Sequence, residues 1–174
     1  INLKKFFYNL SDLIIANSKG SKNEINNILN KDKAIQINNI CDFSNTQIIS
    51  ATKFDPIFKS PTKKIITVGR LNATKRVDIL LKATKKILDT HNVDLIIVGE
   101  GPEKLKLQKL AKDLTISERV HFIGFSDETH NWIANSDLYV SASIVEGSPN
   151  SIIESVCLGT PVVAADCNFG PKEI

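Results

Sequence analysis

The sequence predicts a doubly wound α/β protein built on a parallel sheet. Three observations predict it. Five short β-branched runs recur between residues 63 and 174, most of them apolar throughout. Such runs fit strands buried on both faces, as parallel strands are. Stretches with apolar residues at helical spacing fall between them, and glycine or proline marks most of the joins. Strand–helix alternation repeated five times gives right-handed crossovers over one sheet.

The elements follow in order. Residues 13–16 read as a short strand, 21–29 as a polar helix and 34–37 as a second strand. A single βαβ unit cannot bury its own faces, so residues 1–40 are expected to belong to another sheet. Residues 41–62 lack periodicity, end in Lys59-Ser60-Pro61-Thr62 and read as a linker. Residues 64–68 then form the first apolar run and end at Gly69. Val77, Leu80, Leu81, Thr84, Ile87 and Leu88 keep the stripe of an amphipathic helix. Residues 94–98 run into Gly99, and Leu107, Leu110, Ala111 and Leu114 make a second stripe with Pro102 near its start. Residues 120–123 run into Gly124. Trp132 and Ile133 follow in a short helix that Ser126 could cap, with the indole expected in the core. Residues 138–140 run into Ser141. Ile152, Ile153, Val156 and Cys157 make the apolar side of a helix that begins near Pro149, with Ser148 or a neighbour as its cap. Gly159 is placed to end that helix, and residues 161–164 are the last run.

Composition narrows the function classes. Of 174 residues, 42% are hydrophobic and 24% charged, and the net charge is only +3. A mild excess of this kind does not mark a nucleic-acid binder. No apolar run approaches the length of a membrane span, and Lys4 and Lys5 do not precede the apolar core of a signal peptide. The cysteines are Cys41, Cys157 and Cys167, an odd number without Cys-x-x-Cys spacing, which argues against a disulfide framework or a zinc site. Cys157 and Cys167 are expected to be buried. Only Arg70, Arg76 and Arg119 stand against nineteen lysines. An arginine retained in such a background is a candidate for bidentate anion binding. The lysines at 82, 85, 86, 104, 106 and 109 read as solvated helix faces, with a peripheral contact to anionic lipid as the alternative.

Open α/β sheets bind ligands beyond the carboxyl ends of their strands. In Gly69-Arg70-Leu71-Asn72-Ala73-Thr74-Lys75 the glycine permits a close turn, and two cations sit beside a helix start, where a diphosphate would be held. In Glu146-Gly147-Ser148-Pro149-Asn150-Ser151 the free amides of the next helix can meet phosphate oxygens. Glu146 before that helix and Glu154 within it could accept hydrogen bonds from two sets of vicinal hydroxyls, one on a sugar and one on a ribose.

These motifs, together with Gly99-Glu100-Gly101-Pro102, His121-Phe122-Ile123-Gly124, Gly159-Thr160-Pro161 and Gly170-Pro171-Lys172-Glu173-Ile174, resemble in order and spacing the C-terminal half of the family-4 retaining glycosyltransferases. That family has the GT-B fold, two Rossmann-like domains facing a cleft. The resemblance is strong over residues 63–174 and weaker over 1–60. It implies that residues 63–174 are a nucleotide-sugar binding domain, truncated at its C-terminal end, and that 1–40 are the remnant of the acceptor-side domain. It implies catalytic roles for Arg70 and Lys75 on the donor diphosphate and for Glu146 on the donor sugar. It implies donor contacts at Gly69, Gly101, Ile123, Gly124, Ser148, Asn150 and Ser151, with Glu154 on the ribose. Many members carry Phe-Gly or Tyr-Gly after the Glu-Gly pair. Here Ser148-Pro149 stands instead, a version found in members that build bacterial surface glycans.

The expected activity is transfer of a hexose or N-acetylhexosamine, with retention, from a UDP-sugar to a glycan or lipid-linked acceptor. Neither a metal nor a further cofactor is expected. The expected location is the cytoplasm, with a peripheral position at the inner face of the membrane as the alternative. A sugar-nucleotide epimerase of the same architecture and a non-catalytic nucleotide-binding module remain alternatives. A nicotinamide-binding domain is a poorer fit, because Pro102 and Lys104 interrupt the Gly99-Glu100-Gly101 start. Methionine is absent and the chain opens on Ile1. With the motif order, this reads as a fragment cut at both ends, inactive alone.

Overall fold

The computed structural model describes residues 3–44 and 47–174. Ile1, Asn2 and residues 45–46 of the expected linker lie outside the described residues. Helix α1 (Leu3–Leu10) opens the described chain and was not expected from the sequence. Its Leu3, Phe6, Phe7 and Leu10 are exposed. Next come β1 (Ile14–Ala16), α2 (Lys19–Leu29) and β2 (Ala34–Gln36), with β1 and β2 parallel in a two-stranded sheet of their own. Ser18 starts α2 by accepting a hydrogen bond from the Ser21 N–H, and left-handed Asn30 ends it.

The segment read as a linker contains α3 (Ala51–Phe54) and a 3₁₀ turn (Pro56–Lys59). Phe54 and Phe58 pack on Trp132, with ring centroids 4.9 and 5.8 Å from the indole. Three aromatics scattered in sequence have no period to reveal this contact.

The larger sheet holds β3 (Lys63–Val68), β4 (Val93–Val98), β5 (Val120–Gly124), β6 (Leu138–Ser141) and β7 (Val162–Ala164). All pairs are parallel, in the spatial order β5-β4-β3-β6-β7. Between the strands run α4 (Val77–Ile87), α5 (Lys104–Asp113), α6 (Thr129–Ala134) and α7 (Asn150–Cys157). This is the predicted doubly wound α/β fold. Every residue of β4 is buried. Its side chains alternate between two cores, as the period of two requires. Leu95 and Ile97 join Leu81 and Leu107 on one face, and Ile96 and Val98 join Trp132, Ile133 and Tyr139 on the other. A fully buried side chain such as Ile96 contributes about 1.5–3 kcal/mol.

Three local expectations are corrected. Pro149 is the N-terminal boundary residue of α7 and no side chain caps it, Ser148 included. The buried residues of α7 are Ile152 and Ser155, whereas Val156 and Cys157 are exposed. Ser155 tolerates burial because its hydroxyl donates to the Ser151 carbonyl at 2.6 Å. Cys157 is therefore a surface thiol, while Cys167 is buried as expected. Ser126 does not cap α6, which starts after Glu128. Its hydroxyl oxygen instead accepts from the Glu128 N–H and from Trp132 Nε1, at 3.1 and 3.2 Å.

The amino ends of β3 and β4 carry a buried charge cluster. Asp94 meets Lys64 Nζ at 3.3 Å and Arg119 Nε at 2.7 Å, and also accepts from Thr62. Lys64 is only 3% exposed at its side chain, so its charge depends on these partners. Arg76 grips Asp78 through two nitrogens, at 2.9 and 3.2 Å. Two of the three arginines thus hold carboxylates of the scaffold, whereas Arg70 follows directly on the carboxyl end of β3.

Candidate active site

The strand order reverses between β3 and β6. The chain moves outward from β3 through β4 to β5, then returns to place β6 and β7 on the other side. Two neighbouring crossovers leave in opposite directions there, and a crevice opens beyond the carboxyl ends. Its walls are residues 67–71 of β3 and the loop after it, together with Lys75, Val77, Tyr139, Ser141 and Ser143. The sheet topology and the motif positions therefore select the same place.

Backbone packing holds the first loop against the sheet. A Cβ on Gly99 would lie 2.0 Å from the Gly69 carbonyl oxygen, and one on Gly101 would lie 2.3 Å from that of Leu71. The Leu71 N–H donates to the Glu100 carbonyl at 2.8 Å, and the Glu103 N–H to the Leu71 carbonyl at 3.0 Å. Gly101 buttresses Leu71 from behind and does not line the crevice. The start of a dinucleotide-type glycine motif here serves loop-to-loop packing.

Arg70 is exposed at the crevice mouth. Lys75 lies in the 3₁₀ turn (Ala73–Lys75), started by the Asn72 side chain. Its stem runs alongside Gly69, and its ammonium reaches Glu146 Oε1 at 2.6 Å. The Glu146 side chain is only 11% exposed. A cation from the loop after β3 and an anion from the loop after β6 thus meet at the switch point.

Helix α7 is anchored above the same crevice. The buried Tyr139 hydroxyl lies 2.6 Å from Ser151 Oγ and 3.3 Å from the Val68 carbonyl oxygen. Burial, helped by the negative charges of Glu146 and Glu154, pushes the Tyr139 hydroxyl up to about 12, against the hydrogen bonds to Ser151 and Val68. Tyr139 therefore stays neutral and fixes the first turn of α7, where the leading N–H groups lack intrahelical acceptors. Glu154 follows one turn later. Burial raises its pKa above the ordinary glutamate value, and the neighbouring His130 partly offsets this.

The other expected residues are spread more widely. Ile123 is part of the apolar packing around Ile66 and Ile96. Gly124 gives its carbonyl to the Gly99 N–H at 2.7 Å. Both sit on the β4–β5 side, away from the Lys75–Glu146 contact. Ser148 and Asn150 face the smaller unit. The Asn39 amide donates to the Ser148 carbonyl at 3.3 Å and to Asn150 Oδ1 at 2.5 Å. Sequence reasoning gave no role to Tyr139, His130, Asn39 or Glu173, whose contacts are long-range and have no local spacing. Among the basic helix faces, Lys82, Lys104 and Lys106 sit in ion pairs with Asp78, Glu100 and Glu103. No helix among the described residues is long and apolar enough to cross a membrane.

Comparison with known proteins matches this geometry to one group. The family model described as glycosyl transferases group 1 covers residues 49–174. An uncharacterised glycosyltransferase of Methanocaldococcus jannaschii is 30% identical over 98% of this chain and 43% of its own length. The N-acetylgalactosamine-N,N'-diacetylbacillosaminyl-diphospho-undecaprenol 4-alpha-N-acetylgalactosaminyltransferase of Campylobacter jejuni is 30% identical over 99% of this chain and 46% of its own length. Among solved structures, HepE of Anabaena in complex with UDP and glucose superposes with a TM-score of 0.87 at 25% identity, covering 98% of this chain and 49% of that one. The chain spans about half the length of these relatives.

Proposed function

Because this chain belongs to the glycosyl transferases group 1 family, we propose that the β3–β6 crevice is the donor side of a retaining sugar transfer. A hexose or N-acetylhexosamine leaves a nucleotide diphosphate and passes to a glycan or lipid-linked acceptor in bacterial surface-glycan synthesis. The observation that carries this reading is the Lys75–Glu146 contact across the switch point. It puts a cation and a carboxylate at one spot, the pair needed for a departing diphosphate and for the hydroxyls of the sugar it leaves.

In this reading the bond between the anomeric carbon and the diphosphate breaks with its electron pair staying on the phosphate oxygen, an acceptor hydroxyl oxygen bonds to that carbon, and the hydroxyl proton passes to the departing diphosphate. Arg70, Lys75 and the leading amides of α7 at Asn150 and Ser151 receive that charge, a form of electrostatic stabilisation fixed in advance of reaction. These groups supply the countercharge without a metal, and the nucleotide sugar is a substrate, with no further cofactor. Glu146 orients the sugar hydroxyls and Glu154 accepts from the ribose. The base is uracil, by likeness to HepE with its bound UDP. A lipid-linked acceptor follows the name of the Campylobacter relative. Lys85, Lys86 and Lys109 are then available for anionic lipid, a contact that salt should abolish.

Titration calorimetry with UDP, GDP, ADP and NAD tests the donor side: UDP should bind with the highest affinity. Product analysis of the intact protein with UDP-hexoses tests the reaction. A glycosidic product formed only with acceptor supports transfer. Epimerisation without acceptor, or preferential NAD binding, rejects it.

A further inference from the structure

We propose that Glu173 is a positioning residue that clamps the β1–β2 unit onto the loop leading into α7. The clamp stands on the contacts below, and its effect on turnover rests on the transferase reading. Glu173 Oε2 accepts from the Lys19 N–H at 2.6 Å, and Oε1 from the Gly20 N–H at 3.0 Å. These are the first two N–H groups of α2, which the helix leaves without acceptors and where negative charge is favoured. Ser18 Oγ takes the third, from Ser21, at 3.2 Å. The first turn of α2 is thus capped partly from within and partly by a carboxylate more than 150 residues away.

The same segment presses on both partners. A Cβ on Gly20 would lie 2.0 Å from Cδ1 of Phe169, so the absent side chain lets the ring rest on α2. A Cβ on Gly170 would lie 2.8 Å from Pro149 Cδ and 2.9 Å from the Gly147 carbonyl oxygen. Residues 169–173 therefore touch α2 on one side and the loop between Glu146 and Asn150 on the other. The Asn39 bonds to Ser148 and Asn150 tie that loop to the segment after β2 as a second point of attachment. Movement of α2 must then move the loop that carries Glu146. A carboxylate held by two exposed backbone donors is a contact that can open and reclose, and glycines at 20 and 170 keep its surfaces free of side chains.

The test compares Glu173→Ala, Glu173→Gln and Gly20→Ala with the parent in the intact protein. Amide hydrogen exchange of the segment holding Lys19 and Gly20 needs no substrate, and should quicken roughly tenfold in Glu173→Ala, as for a lost side-chain cap. Glu173→Gln, which keeps one acceptor oxygen, should fall between. Gly20→Ala, which wedges the Phe169 ring away, should reproduce the alanine effect with Glu173 intact. In turnover, kcat should drop roughly tenfold while UDP affinity stays within about twofold of the parent. Unchanged exchange in Glu173→Ala overturns the clamp. A fall in UDP affinity in step with kcat overturns the positioning role. A parent that transfers no sugar rejects the transferase reading, and the exchange comparison still decides the clamp.

Discussion

Lys75 and Glu146 meet at 2.6 Å across the switch point, joining two loops that lie 71 residues apart in sequence. With 27% and 11% of their side chains exposed, the two charges are shielded from water on most sides. The contact ties the β3 side of the crevice to the β6 side before any ligand is considered.

Removing Lys75 should therefore act on chemistry. Lys75→Ala or Arg70→Ala in the intact protein should lower kcat roughly a hundredfold, as loss of one donor to developing negative charge does. Steady-state turnover of UDP-sugar checks this, and near-normal rates in both variants reject the assigned roles.

Glu154 should make donor affinity depend on acidity. Burial raises its pKa, so the carboxylate takes up a proton at a higher pH than an exposed glutamate. In the role proposed for Glu154, protonation removes an acceptor from the ribose hydroxyls. UDP affinity should thus weaken as pH falls, starting above the ordinary glutamate range near pH 4.3. Calorimetric titrations over a pH series measure it, and Glu154→Gln should flatten the dependence.

Tyr139→Phe should separate anchoring from packing. The ring stays and the hydroxyl beside Ser151 and Val68 goes. The cost should be about 0.5–1.5 kcal/mol, that of one hydrogen bond. Urea unfolding reads the cost, and faster amide exchange in the first turn of α7 locates it. Because the hydroxyl titrates only at about 12, the difference should not change between pH 6 and 9.

Asp94 should control stability from the opposite end of the sheet. Asp94→Ala leaves the Lys64 ammonium buried without its carboxylate, at a cost of about 3–5 kcal/mol. Burial acts to raise the Asp94 pKa, but hydrogen bonds from Thr62, Arg119 and Lys64 outweigh it and hold the carboxyl below its usual value. A depressed folded-state pKa gives stability that is complete above the unfolded value near 3.9 and lost as pH falls through the folded one. Urea midpoints at pH 6 and pH 3 should differ more for the parent than for Asp94→Asn.

How far the sequence reads depends on the range of each contact. Periodicity placed β3, β4, α4 and α5 because a strand or helix face is a local pattern, and every residue of β4 proved buried. The cap of α7 was misread because Ser148 stands beside Pro149 where a capping residue is favoured, yet no side chain caps the helix. The Cys157 side of α7 was misread because Ser155, with its hydroxyl satisfied by Ser151, takes the buried place. Arg119 was suspected of anion binding on rarity alone, and its partner Asp94 is 25 residues distant.

The sequence by itself determined the order of strands and helices over residues 63–174, the class of fold and the loops where Arg70, Lys75, Glu146 and Glu154 fall. Those follow from local hydrophobic period and from glycine and proline at the joins. Only the tertiary structure decided that β6 lies beside β3, that Lys75 reaches Glu146, that Tyr139 supports Ser151 and that Glu173 caps α2. Each of these depends on where the chain returns after a long excursion, and that is fixed by burial of whole faces and by satisfaction of buried polar groups across the sheet.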